Sequence, residues 1–284
     1  MQKSIRSSII VVVFITICAV WIEIPNRGCG TVDFADIGQG DGALITTSGG
    51  RRILIDAGPR SVSNPTESAM KKYLIQRGIS KIDVIVLSHY HDDHYGGIIG
   101  IAKEFTPELI LLPKPINEEN QKVADEIAAQ ISKETVIIYM KMGESFELGN
   151  EVNAEAIFRS TESSDENDRT LVLAVKCKNT KFLFTGDMTM KGEEKILQEI
   201  SADKLKANVV KVAHHGSKYS SSTEFYEVAS PEYAVICVGK NMYGHPTQEA
   251  LDRISQTSQI MRTDKQGAIE FVIDDSGIKK IRER

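Results

Sequence analysis

Cysteine is scarce in this chain. Four stand among 284 residues, and no two form a C-x-x-C pair, which argues against a zinc site built on thiolates. Cys18 lies in the first apolar stretch and Cys29 just after it. Cys177 and Cys237 sit in apolar, strand-like runs of the kind that bury free thiols. Positive charge is not in surplus either, with 34 Lys and Arg against 39 Asp and Glu and a net charge of −5. A nucleic-acid substrate would therefore need a local basic patch, since the surface as a whole offers no attraction. Low-complexity stretches, linkers and short-period repeats are missing, so nothing divides the body of the chain. The apolar run from Ile9 to Ile22 has 14 residues, short of the roughly 20 that span a bilayer.

What is present suits a folded domain. The hydrophobic fraction is 41% and the charged fraction 26%, ordinary for a globular protein long enough to bury a core. Residues 1–30 stand apart. Lys3 and Arg6 precede the apolar run, and Glu23, Pro25 and Asn26 end it. That pattern describes an export signal or a single membrane anchor, with a buried N-terminal strand as the alternative. Positive charge stays on the cytoplasmic side, so the body, residues 31–284, is expected outside the cytoplasm, secreted or anchored to the cell membrane.

Within the body, Ala43 to Thr46 and Arg52 to Ile55 read as strands split by Gly49-Gly50. Asn64-Pro65 predicts the start of a helix that Gly78 closes. Asp83 to Ser88 is a continuous β-branched run, hence a buried strand. Gly96 to Glu104 and Glu118 to Ser132 follow as helices. The second half repeats the alternation: strands at 171–175, 181–185, 209–213, 234–238 and 268–273, helices at 190–200 and 222–229, and a last helix capped by Thr247. Strands alternating with helices in two successive halves predict a layered α/β domain.

The six histidines, His89, His91, His94, His214, His215 and His245, all follow predicted strand ends or sit in glycine-containing loops. His89-Tyr90-His91-Asp92-Asp93-His94 has the form H-x-H-x-D-H. Imidazole nitrogen and carboxylate oxygen suit zinc, manganese or iron. Alternate residues His89 and His91 can face one metal, while Asp93 and His94 serve a neighbour. Asp187, after Gly186 at a strand mouth, is a candidate bridging ligand. Asp56, also at a strand end, can accept the ring N–H of a ligating histidine, or can simply form a turn. In His214-His215-Gly216-Ser217-Lys218, one histidine is expected to bind metal and the other to face substrate. His214 is expected to bind the metal and His215 to face substrate, with Ser217 and Lys218 holding an anion. His245 is either a late ligand or a group that stabilises charge on the leaving oxygen.

These residues resemble the metallo-β-lactamase superfamily in order and spacing. Within it they are similar to the soluble hydrolase domain of the ComEC competence proteins, through Asp36-Ile37-Gly38-Gln39-Gly40-Asp41, Leu54-Ile55-Asp56-Ala57-Gly58, His214-His215-Gly216-Ser217, Gly244-His245-Pro246 and Arg262-Thr263-Asp264 before Gly267-Ala268. The likeness covers roughly residues 31 to 273. It implies an αββα sandwich with two divalent ions, Zn or Mn, at one edge. It also implies hydrolysis of a phosphodiester, with DNA the candidate substrate. Lactamase-type members carry another histidine between the first cluster and the Gly-Asp. Here none lies between His94 and Asp187, so Asn167 or Asp168 is the expected replacement. The alternatives are another hydrolase of the same fold, such as a phosphorylcholine esterase or a lactamase, and a non-catalytic metal-dependent binding protein. A surface module serving a partner channel is a further one.

Overall fold

The computed structural model describes residues 30–284. The N-terminal segment predicted at 1–30, with Cys18 and Cys29, lies outside the described residues. Fifteen strands among them form two sheets. They are β1 (Gly30–Phe34), β2 (Ala43–Thr46), β3 (Arg52–Ile55), β4 (Val84–Val86), β5 (Leu109–Pro113), β6 (Val136–Met140), β7 (Ser145–Leu148), β8 (Val152–Phe158), β9 (Val172–Cys177), β10 (Thr180–Phe184), β11 (Val209–Lys211), β12 (Tyr233–Ile236), β13 (Gln259–Arg262), β14 (Ile269–Asp274) and β15 (Gly277–Glu283). The first sheet runs β15-β14-β1-β2-β3-β4-β5-β6, and the second β13-β12-β11-β10-β9-β8-β7.

Strand alternation explains the layers. In β3, Ile53 and Ile55 point into the core between the sheets, while Leu54 points the other way, under the helices. The same split holds in β4, with Val84 and Val86 inside and Ile85 beneath the helices. A strand that buries both faces must be apolar throughout, which is why D-V-I-V-L-S reads as it does. Three helices cover the first sheet: α1 (Ala69–Gln76), α2 (Ile98–Phe105) and α3 (Glu118–Gln130). Three more, α4 (Met190–Glu199), α5 (Thr223–Ala229) and α6 (Gln248–Ile254), cover the second. The result is the expected αββα sandwich. Phe34, Phe182, Phe184 and Phe271 fill the middle of the inter-sheet core, with the Phe34 ring 5.7 Å from Phe184 and 5.9 Å from Phe271.

The first helix starts later than predicted. Asn64 accepts from the Thr66 backbone N–H in a turn, and Ser68 takes the cap, accepting from Lys71 N at 3.0 Å. Thr247 caps α6 as expected. Strands β5 to β8, β13 and β15 were not predicted.

Topology gathers the site. β3 pairs with β4, and β10 with β11 and β11 with β12, all parallel, so their carboxyl ends lie along one edge of each sheet. β2 runs antiparallel to β3 with Ala43 opposite Ile55, which brings the residues just before β2 to that same edge. In open α/β sheets such carboxyl edges are where ligands bind.

Candidate metal centre

Each site residue leaves a strand at this edge: Asp56 after β3, residues 88–94 after β4, Asp187 after β10, His215 after β11. The Leu171 N–H donates to the Ser88 carbonyl at 2.8 Å and the His214 N–H to the Gly186 carbonyl at 3.2 Å. The first bond ties the two sheets together and the second joins neighbouring loops at the cluster.

Three groups of ligand-type atoms result, each lying within 4.8 Å of one another: His89, His91 and Asp187; Asp93, His94, Asp187 and His215; and, on the outer side of His94, Asp41, Asp56 and His94. Asp187 belongs to the first two. His89 Nε2 and His91 Nδ1 are 3.0 Å apart, His94 Nε2 is 3.2 Å from Asp187 Oδ1, and His215 Nε2 is 3.1 Å from Asp93 Oδ2. All but His91 and Asp93 are buried.

The far side of each ring is held. The Nδ1 of His94 lies 2.9 Å from Asp56 Oδ2, and the Nδ1 of His215 lies 2.7 Å from the Cys237 carbonyl. Either partner can only accept, so each Nδ1 carries a hydrogen, and once the ring is neutral its Nε2 presents a lone pair to the cluster. The Nδ1 of His89 faces the hydroxyls of Ser88 and Thr170 at 3.0 and 3.2 Å. Rings that donate outward and present a lone pair inward are what metal ligation requires. Asp56 also accepts from Ser88 N at 2.7 Å and Ser88 Oγ at 2.8 Å.

Charge points the same way. Lys211 pairs with Asp41 and Asp187, while Asp56 and Asp93 face His94 and His215. Four carboxylates against one ammonium leave negative charge that protons on His94 and His215 offset, a role divalent ions can take over. Burial alone would push His94 down, but Asp187, Asp41 and Asp56 hold it well above the ordinary histidine value. Burial would raise Asp187, yet His94 and His215 hold it well below the usual carboxylate range. His89, buried beside His94 and His91, is pushed well below its ordinary value. His94 Nε2 and Asp187 Oδ1 are buried without a hydrogen-bond partner. Unpartnered inward-facing donor atoms and excess carboxylate fit divalent ions.

Not every predicted residue joins this group. His215 takes the place expected for His214, because its ring points inward against Asp93. His214 instead packs beside His245, ring centres 5.5 Å apart. Both histidines have left-handed backbone, φ 50° and 52°, a conformation costly for non-glycine residues. Asp168 is taken up elsewhere: its Oδ1 accepts from Thr189 N at 3.0 Å and Thr189 Oγ1 at 2.8 Å, at the start of α4. That engages Oδ1 only, and Oδ2 takes a single long contact from the Ser163 hydroxyl at 3.4 Å. Asn167 keeps a buried, unpartnered Oδ1. Ser217 is buried, and its hydroxyl accepts from Tyr219 N at 3.3 Å. Lys218 is exposed, its ammonium 5.0 Å from the Tyr219 ring centre. His245 is half-buried, and burial, then His214 and His215, push it down to about 4.

Sequence reasoning missed two residues. Asp41 forms a short ion pair with Lys211, and its carboxylate lies 3.4 Å from His215 Nδ1. Lys211 Nζ donates to the Gly186 carbonyl at 2.8 Å and lies 3.5 Å from Asp187 Oδ1. The signal for Lys211 was a lone lysine in the buried strand Val209-Val210-Lys211, where a charge persists only if paired.

A model of the metallo-beta-lactamase superfamily matches residues 35–240. Two curated relatives are each 30% identical: ComE operon protein 3 of Bacillus subtilis over 85% of this chain, and competence protein ComA of Neisseria gonorrhoeae over 88%. The chain spans about a third, 33%, of either relative's length. Among solved structures, CmlA, a diiron beta-hydroxylase from Streptomyces venezuelae, superposes with a TM-score of 0.57 at 11% identity, covering 86% of this chain and 54% of that one. That likeness shows the fold and not the reaction. By the superfamily match and by the ligand groups around Asp187, this chain belongs to the metallo-beta-lactamase superfamily.

Proposed function

We propose that the chain is a divalent-metal-dependent phosphodiesterase, with DNA as its substrate, working outside the cytoplasm. The observation that carries the catalytic part is the pair of ligand groups sharing Asp187, which offers His89 and His91 on one side and Asp93, His94 and His215 on the other. The choice of DNA draws on the likeness to competence proteins over most of the chain. When bound, divalent ions polarise a phosphoryl oxygen and lower the pKa of water.

The chain's own residues do the remainder. Asp187, shared and buried, fixes the spacing of the two groups. Asp56, the Cys237 carbonyl and the Ser88 and Thr170 hydroxyls orient the rings. Lys211 holds Asp187 and Asp41 in place. His245, neutral near pH 7, donates an N–H to the leaving oxygen and does not surrender a full proton to it. Lys218, exposed beside the Gly216-Ser217 turn, attracts the phosphate. Water attacks phosphorus as the P–O bond to the leaving group breaks; one of its protons reaches the leaving oxygen through solvent and the other is released to solvent, so the products are a phosphate monoester and an alcohol.

The location rests on Lys3 and Arg6 before the apolar run. No helix of the described residues is long and apolar enough to cross a membrane. An export-only reporter fused after residue 284 is expected to be active, and an inactive but well expressed fusion would reverse this placement.

The activity is tested by giving the purified chain DNA, RNA, bis-p-nitrophenyl phosphate and a β-lactam, each with Mn²⁺ and with Zn²⁺. Phosphodiesters are expected to be cleaved, faster with Mn²⁺, because the His89–His91 group lacks a third histidine and manganese accepts oxygen-rich coordination more readily. Turnover of the β-lactam alone would overturn the reading.

A further inference from the structure

The turn before His245 presents large side chains to solvent. Met242 is 101% exposed, Tyr243 75%, and Tyr219, in the turn after His215, 64%. Met242 and Tyr243 stand side by side on one turn, and adjacent exposure of this kind marks a binding surface more often than a scattered single residue does. Tyr243 is also held in place. The Asn241 side-chain carbonyl accepts from Tyr243 N at 3.0 Å and His245 N at 3.1 Å, while its amide donates to the Gly239 and His245 carbonyls at 2.9 and 2.8 Å. An exposed ring on a cross-braced turn is preorganised and loses little freedom on binding.

That ring begins a path inward. Tyr243 stacks on His245 with centroids 5.7 Å apart and planes at 28°. His245 meets His214 edge-on at 5.5 Å, and His214 meets His215 at 6.5 Å. Each step lies within the 4.5–7 Å range of aromatic contact. The path ends at the ligand group, since His215 belongs to it. On the second turn, Lys218 lies over the Tyr219 ring, which puts an exposed cation beside an exposed aromatic.

We propose that Tyr243, backed by His245, is a nucleobase-stacking subsite that selects unpaired strands for the metal cluster. The inference rests on the phosphodiesterase reading and names its substrate as a single strand. An aromatic platform with a nearby cation is how sequence-tolerant single-strand binding works: the ring takes a base face and the cation tracks the backbone. With a net charge of −5, the chain has no broad electrostatic hold on phosphates, so stacking must supply the local affinity. Bases inside a duplex are already stacked and cannot reach the ring, so paired DNA is disfavoured.

The test compares binding of the full chain, in chelator so that nothing is cleaved, to a labelled oligothymidylate and to an abasic strand of equal length. Fluorescence anisotropy is expected to show the base-bearing strand bound about 5- to 100-fold more tightly, the range of one stacked base. Tyr243→Ala should remove that preference and leave the melting temperature unchanged; Tyr243→Phe should keep it. Equal binding of both strands by the wild type, no binding of either, or an equal loss on both in Tyr243→Ala would overturn the subsite. So would a Tyr243→Ala effect confined to lipid vesicles. Hydrolysis is measured separately with Mn²⁺ and Zn²⁺ added. Failure to cleave either strand would sink the phosphodiesterase reading while the binding comparison still reports on the ring.

Discussion

Asp56→Asn isolates the support of one ligand from the ligands themselves. Asp56 accepts three donors: Ser88 N at 2.7 Å on Oδ1, and Ser88 Oγ at 2.8 Å and His94 Nδ1 at 2.9 Å on Oδ2. An asparagine amide must turn its NH₂ toward one side. It then faces either the Ser88 backbone N–H or the His94 N–H, and one buried donor loses its partner. That costs about 1–3 kcal/mol of stability. Asp56 has a left-handed backbone, φ 57°, which asparagine tolerates, so the substitution adds no backbone strain. Alanine there would confound the result. If the NH₂ faces His94, the ring loses the acceptor that fixes its hydrogen on Nδ1, and Nε2 becomes a poorer ligand. Metal affinity should fall about 10- to 100-fold, equivalent to roughly 1.4–2.7 kcal/mol. A chelator-competition titration gives the affinity, and thermal unfolding in chelator gives the stability. A folded Asp56→Asn protein with both wild-type affinity and undiminished stability would refute the claim that Asp56 orients a ligand, since either orientation of the amide must cost one of the two.

Other substitutions probe separate parts of the account. Phe34→Ala, in the ring cluster between the sheets, should cost about 3–5 kcal/mol in denaturant unfolding; a loss below about 1 kcal/mol would mean that core is loosely packed. His245→Ala should lower turnover on a phosphodiester far more than metal content, and loss of a full metal equivalent in step with rate would make His245 a ligand instead. Asp33 tests linkage. Burial pushes it up to about 6, despite the Tyr73 hydroxyl and Arg77 beside it. A folded value above the unfolded one gives stability that is present below about pH 4 and lost as pH rises through about 6. Asp33→Asn should therefore flatten the fall in melting temperature between about pH 4 and pH 7, and an unchanged fall would show that another group causes it.

The H-x-H-x-D-H segment was legible because its ligands are local: five ligand-type residues within six positions carry their meaning without tertiary information. The two-layer core was legible for a similar reason, since β3 and β4 bury both faces and must be apolar throughout. What escaped depends on neighbours distant in sequence. Asp41 and Lys211 meet only because β2 pairs with β3 and the two sheets close on each other; the lone lysine in a buried strand signals that Lys211 is paired, but nothing near either residue says with what. Choosing between His214 and His215 required the left-handed backbone at both, which no propensity of histidine predicts. Asp168 was a reasonable ligand by type, but Thr189 at the start of α4 claims one of its two oxygens. Strands β6, β7, β13 and β15 are the four sheet edges. β7 (Ser-Phe-Glu-Leu at 145–148) and β15 are partly exposed and interrupted by charge, so they lack the continuous apolar run that reveals a central strand, whereas β6 (Val-Ile-Ile-Tyr-Met at 136–140) carries such a run although most of it is exposed.

The central claim is that two ions share Asp187. Crystals of the chain grown with Mn²⁺ and measured for anomalous scattering at the manganese edge test it most directly. The account predicts two peaks, one beside His89 and His91, the other beside Asp93, His94 and His215, with the Asp187 carboxylate between them and both absent in Asp187→Ala. A single peak away from Asp187, or two peaks that survive Asp187→Ala unchanged, would contradict it.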